Sequence, residues 1–429
     1  MLRRLLAGSR ARRGFLALLL GTGFGNALTL ILSPVITRLF DPSSFGSFTV
    51  LAAIAMVLAP LMSLRLELAV PLPEREASSY AIVHAGIVIS MVLGSALSVV
   101  FYLVGPTIGE ALNQRVVGTW LWVTPVMASA MACFSVLNAL AIRGGRFTAI
   151  ARRNVVMTCT TLGLQIVAGI LGYGVWGLVV GFALGQVVGA FSLFLGAGLG
   201  GADAAAGRQF RLVRETLRRY RHVPALLAVA GTISILGLQA PVLIIAHYFS
   251  SEVVGWFGLT QRVLAAPVTL IGLSVAQVYL SEVARTRREV SGRERHYFWK
   301  ASKALFAVGT VFALILLAFG PLAFGSIFGE QWRTSGLFAQ ALAIALAAQL
   351  IASPLSQTLI VFERNRLQLA WDTGRLLAVG GTVIATGEAG GSATAVVWAL
   401  CLALTTMYAL SWDLSRRTLR AEHRHHDRQ

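Results

Sequence analysis

Long apolar runs, broken by short polar stretches that carry most of the arginines, recur along the whole of this chain. A bilayer core of about 30 Å takes about 20 apolar residues per helix. That ruler gives twelve expected spans, at 15–38, 46–71, 80–104, 116–141, 150–170, 175–198, 222–246, 254–282, 300–320, 335–361, 370–386 and 393–413. Several are long enough to tilt or to project beyond the bilayer. No stretch alternates with the two-residue period of a barrel strand. The pattern predicts an all-α, polytopic membrane protein.

Composition sharpens this reading. Of 429 residues, 56% are hydrophobic and only 13% charged, where soluble domains run at roughly 25% charged. That excludes an ordinary soluble enzyme, a disordered chain and a disulfide scaffold. The net charge of +18 is spread between apolar runs, a membrane pattern that argues against a nucleic-acid partner. Cys133, Cys159 and Cys401 all lie in apolar stretches and are expected to be small core residues.

The basic residues also set an orientation. With the N-terminus inside, 31 of the 36 Lys and Arg fall in inner segments, against Arg38, Arg115 and Arg333 outside. This asymmetry predicts cytoplasmic N- and C-termini. Arg3, Arg4, Arg10, Arg12 and Arg13 precede an apolar run far longer than the 7–15 residues of a signal peptide. A retained first span is expected.

The expected organisation is a six-helix lobe at 1–198, a basic linker at 199–221, a second six-helix lobe at 222–413 and a basic tail at 414–429. A short repeat supports two parallel halves. RLFDPSSFGSF at 38–48 and HYFSSEVVGWF at 247–257 share a Phe, a Gly and a second Phe at matching places. In the linker, Phe210, Val213, Leu217 and Tyr220 fall on one helical face with arginines on the others. That makes an amphipathic helix suited to anionic inner-leaflet headgroups over 208–221, first of all as an anchor.

Some patterns imitate motifs. GYGVWG at 172–177 and GAGLGG at 196–201 match the dinucleotide glycine spacing, but that spacing works only between a strand and a helix. They read as a turn and a helix exit. No Gly-Lys pair exists, so a Walker A loop is excluded. There is no zincin helix and no nucleophile elbow, and no cofactor or metal is expected. His423, His425 and His426 read as a terminal tail. Gly181, Gly185 and Gly189 read as a close helix-packing face.

An ionisable side chain inside a membrane helix is a functional candidate by default. Arg262 lies about 13 Å into its expected span, beside Gln261 and one turn before Pro267. Arg65 and Glu67 fall near the inner end of the span expected at 46–71. At two residues' separation they would point about 200° apart on a helix and could not pair. Asn26 and Gln277 are further cavity candidates, while Asn138, Gln165, Gln186 and Gln239 also fall within spans. Little beyond Glu67 stands out as an intramembrane acid.

Four stretches resemble the bacterial polysaccharide flippases of the multidrug/oligosaccharidyl-lipid/polysaccharide exporter superfamily. They are SPVITRLFDPSSFG at 33–46, RLELAVPLPE at 65–74, GYGVWGL at 172–178 and GWFGLTQR at 255–262 with Pro267. The resemblance implies two six-helix lobes around a cationic central cavity of alternating access in the bacterial inner membrane. The implied cargo is an undecaprenyl-diphosphate-linked oligosaccharide, with Arg65 and Arg262 attracting its diphosphate and glycan polymerase or assembly proteins as partners. A cation-coupled multidrug exporter on the same fold is the nearest competitor, and the shortage of acids counts against it. A membrane-embedded polymerase or ligase is a further one. The outer loops expected near 105–115 and 321–334 are short for the catalytic loop such an enzyme carries.

Overall fold

A computed structural model describes residues 9–111, 114–196, 205–206, 208–220, 222–289, 294–362 and 364–426. Every regular element among them is helical. In order they are α1 (Ser9–Leu39), α2 (Pro42–Met62), a 3-10 turn (Leu66–Leu68), α3 (Glu76–Ala111), the short α4 (Arg115–Trp120), α5 (Val123–Arg143), α6 (Phe147–Ile170) and α7 (Val175–Gly196). Then follow α8 (Phe210–Tyr220), α9 (His222–Tyr248), α10 (Ser251–Glu289), α11 (Glu294–Phe328), α12 (Arg333–Leu355), the short α13 (Gln357–Val361), α14 (Asn365–Glu388) and α15 (Ala393–His426).

Although 46–71 runs past α2 into the 3-10 turn, 116–141 takes in α4 as well as α5, and 335–361 takes in α13 as well as α12, each of the twelve expected spans centres on one long helix. Among the described residues, nine of these are long and apolar enough to cross a membrane. Of the remaining three, α1 has a shorter apolar stretch at Gly23–Leu39, while α6 and α14 carry polar side chains: Arg152, Arg153 and Asn154 on α6, and Arg366, Asp372 and Arg375 on α14. Large side chains such as Leu103, Ile170, Leu322 and Leu402 are about 70% exposed, as lipid-facing residues are. Cys401 is buried, but Cys133 is half-buried and Cys159 exposed. The core reading therefore fails for Cys159, whose helix face turns outward.

Sequence chemistry explains where helices start and stop. Asp41 caps α2: its carboxylate accepts from the backbone N–H of Ser43 and of Ser44, both at 3.1 Å, with Pro42 at the first helical position. Burial, the largest influence on this carboxyl, pushes its pKa up. The hydrogen bonds from Ser43 and Ser44 outweigh it and hold the carboxyl below its ordinary value. The repeat is in register with the fold. Gly46 and Phe48 are the fifth and seventh residues of α2, and Gly255 and Phe257 the fifth and seventh of α10. Both phenylalanines are buried.

The GYGVWG segment is a turn between α6 and α7, and its glycines have conformational reasons. Gly172 and Gly174 take positive φ, 75° and 53°. A Cβ on Gly177 would lie 2.5 Å from that of Ala168. The GAGLGG segment runs into residues outside those described. Gly181, Gly185 and Gly189 bring α7 against Gln165, Thr161 and Met157 of α6, so closely that a Cβ on Gly185 would lie 1.8 Å from Thr161 Oγ1.

Two compact units emerge. The first is Met1–Ile235 with Ser250–Val254, the second Leu236–Phe249 with Gly255–Gln429. The first is centred on Leu66, Val70, Ile82, Val136, Leu137 and Leu193, against which Leu217 of α8 packs. Phe210 at the other end of α8 is 81% exposed, so the apolar face of this helix is seated at one end and open at the other. The second unit is centred on Tyr279, Phe298, Leu305, Leu350 and Leu355.

Candidate functional site

In the first unit, the expected second span ends early. α2 stops at Met62, and Leu64 and Arg65 take left-handed backbone at φ 47° and 55°. Such backbone costs a non-glycine residue about 1–2 kcal/mol, so tertiary contacts must enforce it. Ser90 Oγ donates to Met62 O at 3.0 Å and Ser79 Oγ to Val70 O at 2.9 Å. Arg143 donates to Val70 O and Glu74 O at 3.2 and 3.3 Å. The consequence corrects the sequence reading. Arg65 and Glu67 are not on one helix, and the turn brings them together at 3.3 Å. The arginine head also approaches Gly231 of α9, where a Cβ would lie 2.1 Å from Nη2. Arg65 Nε and Glu67 Oε2 are buried without a hydrogen-bond partner among the described residues.

The more deeply placed cation of this unit is Arg153, which the charge count assigns to an inner loop. It lies on α6 and is 4% exposed. Its guanidinium donates to Asn154 Oδ1 at 3.1 Å and to Gln186 Oε1 of α7 at 3.2 Å. It also lies 3.5 Å from the ring centre of Phe134 on α5. Gly189 leaves the space beside it, since a Cβ there would lie 3.2 Å from Nε. Those hydrogen-bond partners are neutral, so the unit holds a buried positive charge with no acid among the partners described. Gln186 thus serves as an interhelical hydrogen bonder, as does Gln165, which donates to Leu178 O at 3.1 Å. Asn26 is half-buried on α1.

The second unit contains a cavity of about 250 Å³. Its wall is mostly apolar, with Gln239, Gln261, Gln349, Thr260, Tyr408 and Arg375 as polar groups. Arg375 pairs with Asp372 one helical turn earlier at 3.2 Å, and the two side chains are 6% and 12% exposed. The guanidinium lies 4.8 Å from the Trp371 ring centre, and Trp371 is itself fixed by donating to Met407 O at 2.7 Å. Gly237 makes room, because a Cβ there would lie 3.4 Å from Arg375 Nη2. Asp372 adds a buried acid to the Glu67 expected from the sequence. Its charge is matched locally by Arg375, so this mostly apolar cavity is close to neutral.

Of the predicted residues, Gln261 lines this cavity. Arg262, the next residue on α10, is half-buried and is not among the described lining residues, and Gln277 is exposed further along the helix. Arg65 and Glu67 are joined in the first unit. The reading missed Arg153, Asp372 and Arg375. The Asp-to-Arg spacing of i,i+3 was the available signal for one pair; nothing in the sequence marks Arg153 as buried.

Comparison with known proteins places this architecture. Residues 35–336 match the polysaccharide biosynthesis protein family. The teichuronic acid biosynthesis protein TuaB of Bacillus subtilis (strain 168) is 26% identical over 163 residues, 38% of this chain. The match spans 33% of that relative's length. Among solved structures, an inward-facing multidrug resistance MATE family transporter of the MOP superfamily aligns with a TM-score of 0.65 at 14% identity, covering 95% of each chain. The lipid II flippase MurJ in an inward closed conformation aligns with a TM-score of 0.65 at 15% identity, over 95% of this chain and 86% of that one. With most of its length matched, this multi-pass membrane chain belongs to the polysaccharide biosynthesis protein family and has the fold of the MOP-superfamily transporters.

Proposed function

We propose that this protein is a flippase that moves an undecaprenyl-diphosphate-linked oligosaccharide from the inner to the outer leaflet of the bacterial plasma membrane. It does so by alternating access between two six-helix halves, with both termini in the cytoplasm, and makes or breaks no covalent bond. The observation that carries this reading is Arg153. A buried cation surrounded by amide oxygens and an aromatic face is costly unless function retains it. It supplies attraction for a diphosphate that hydrocarbon would otherwise exclude. Arg262 is the second cation assigned to the cargo. Arg65, neutralised by Glu67, is better suited to holding the turn after α2.

A cation-coupled drug exporter would want unmatched negative charge. Asp372, the acid nearest the cavity of the second unit, is instead paired with Arg375, which favours an anionic cargo. The anionic inner leaflet would hold the exposed arginines of α8.

The test is glycan export in cells whose own flippase is deleted. Arg153→Ala and Arg262→Ala should each abolish export at unchanged protein level. The lysine variants should restore part of it, since lysine keeps the charge but loses the planar fork that suits a diphosphate. Full export by both alanine variants would refute the assignment.

A further inference from the structure

One side of the first unit carries an open apolar groove of about 670 Å³ between α3, α5 and α7. Met91 and Ser95 of α3, Trp122 and Cys133 beside and on α5, and Val187 and Phe191 of α7 are among its walls. Several of these are open to the surroundings: Met91 is 60% and Phe191 59% exposed. Along α5 the groove runs from Trp122 to Leu137, which at 1.5 Å per residue is about 22 Å.

The two ends differ in charge. Beyond Leu137, α5 ends in Arg143. Beyond Phe194, the last carbonyls of α7 accept from arginines of the α5–α6 turn and α6: Arg146 donates to Gly196 O and Arg152 to Ser192 O, both at 3.4 Å. Arg146 and Arg152 therefore stand beyond one end of the groove, and Trp122 lies at the other. An apolar slot with cations beyond one end matches a long hydrocarbon chain with an anionic head.

We infer that this groove holds the polyprenyl chain of the lipid-linked cargo, with its anionic head directed toward the Arg146 and Arg152 end; the inference rests on the proposed flippase function. Length distinguishes this occupant from a phospholipid. One leaflet contributes about 15 Å of the roughly 30 Å hydrocarbon core, so an acyl chain leaves part of the groove unfilled. A polyprenyl chain fills all of it. The groove then keeps the lipid on the outside of the helices while its head is moved.

The experiment uses the full chain in nanodiscs of phosphatidylethanolamine and phosphatidylglycerol, labelled with a benzophenone-bearing undecaprenyl diphosphate and mapped by mass spectrometry. Label should fall on peptides containing Met91, Cys133 and Phe191, and be competed by unlabelled undecaprenyl diphosphate but not by added phosphatidylglycerol. Ser95→Trp, at an exposed position, fills the slot and should cut that labelling about five-fold, near 1 kcal/mol. Val187→Trp repeats the test should Ser95→Trp fail to accumulate. Equal competition by phosphatidylglycerol would make the groove an ordinary lipid slot and overturn the inference. Competed label confined to other helices overturns the groove and leaves the flippase reading standing. No competed label anywhere overturns both.

Discussion

Replacing Asp372 by Asn tests the electrostatic account of the second unit. The carboxylate and the Arg375 guanidinium are 3.2 Å apart with side chains 12% and 6% exposed. Little water screens them, and a kilocalorie-scale interaction follows. Removing one partner of a buried pair typically costs about 3–5 kcal/mol, because the remaining charge stays in a medium that does not solvate it. Asn keeps the shape and one acceptor oxygen, so the lower end, about 3 kcal/mol, is expected. Neutralising both sites, as Asp372→Asn with Arg375→Gln, removes the stranded charge and should recover most of the loss. The measurement is unfolding in mixed micelles, followed by tryptophan fluorescence, on the two single variants and the double. The cycle should give a coupling of at least about 1.5 kcal/mol. Additive effects, or a cost below about 1 kcal/mol for Asp372→Asn, would show that the pair is solvated and would refute the reasoning.

Three further outcomes are expected. Asp41→Ala should cost about 1 kcal/mol through loss of the α2 cap. Because the native state holds this carboxyl below its ordinary value, its contribution is present above the unfolded pKa and disappears as pH falls through the folded one; Asp41→Asn should cap without that acid dependence in a pH-resolved unfolding series. Gly185→Ala should destabilise the protein by about 1–3 kcal/mol in the same micelle assay, and Thr161→Ala, which removes the oxygen 1.8 Å from the new Cβ position, should restore part of it. Reporter fusions after residues 110, 173, 250, 330 and 389 should read outside and those after 76, 147, 212, 290 and 365 inside, with an inversion at any helix contradicting the assigned topology.

The fold was legible because transfer of apolar surface dominates it. The twelve apolar runs each centre on a long helix, and the repeat at 38–48 and 247–257 kept its register at two helix starts. The end of α2 was not legible. Leu64, Leu66 and Leu68 keep an apolar residue at every second place, no glycine announces the left-handed turn, and the groups that stabilise it are the hydroxyls of Ser79 and Ser90 on α3 and the guanidinium of Arg143 on α5. The outer segments at 105–115 and 321–334 are largely the extended ends of α3 and α11 rather than loops, since apolarity marks the bilayer and not the length of the helix. Among charged residues, the burial of Arg153 and Arg375 was not legible. Their burial depends on Gln186 and Phe134 in one case and on Asp372 and Gly237 in the other. These are side-chain meetings, which hydropathy does not encode.

The central claim is tested most directly by reconstitution. Purified protein is placed in liposomes with an undecaprenyl-diphosphate oligosaccharide confined to one leaflet, and an impermeant probe reads the sugar on the other. The account predicts that the sugar becomes accessible with its diphosphate linkage intact, at a rate that Arg153→Ala abolishes. A sugar that stays on its original leaflet, or that appears as released or newly joined glycan, would contradict it.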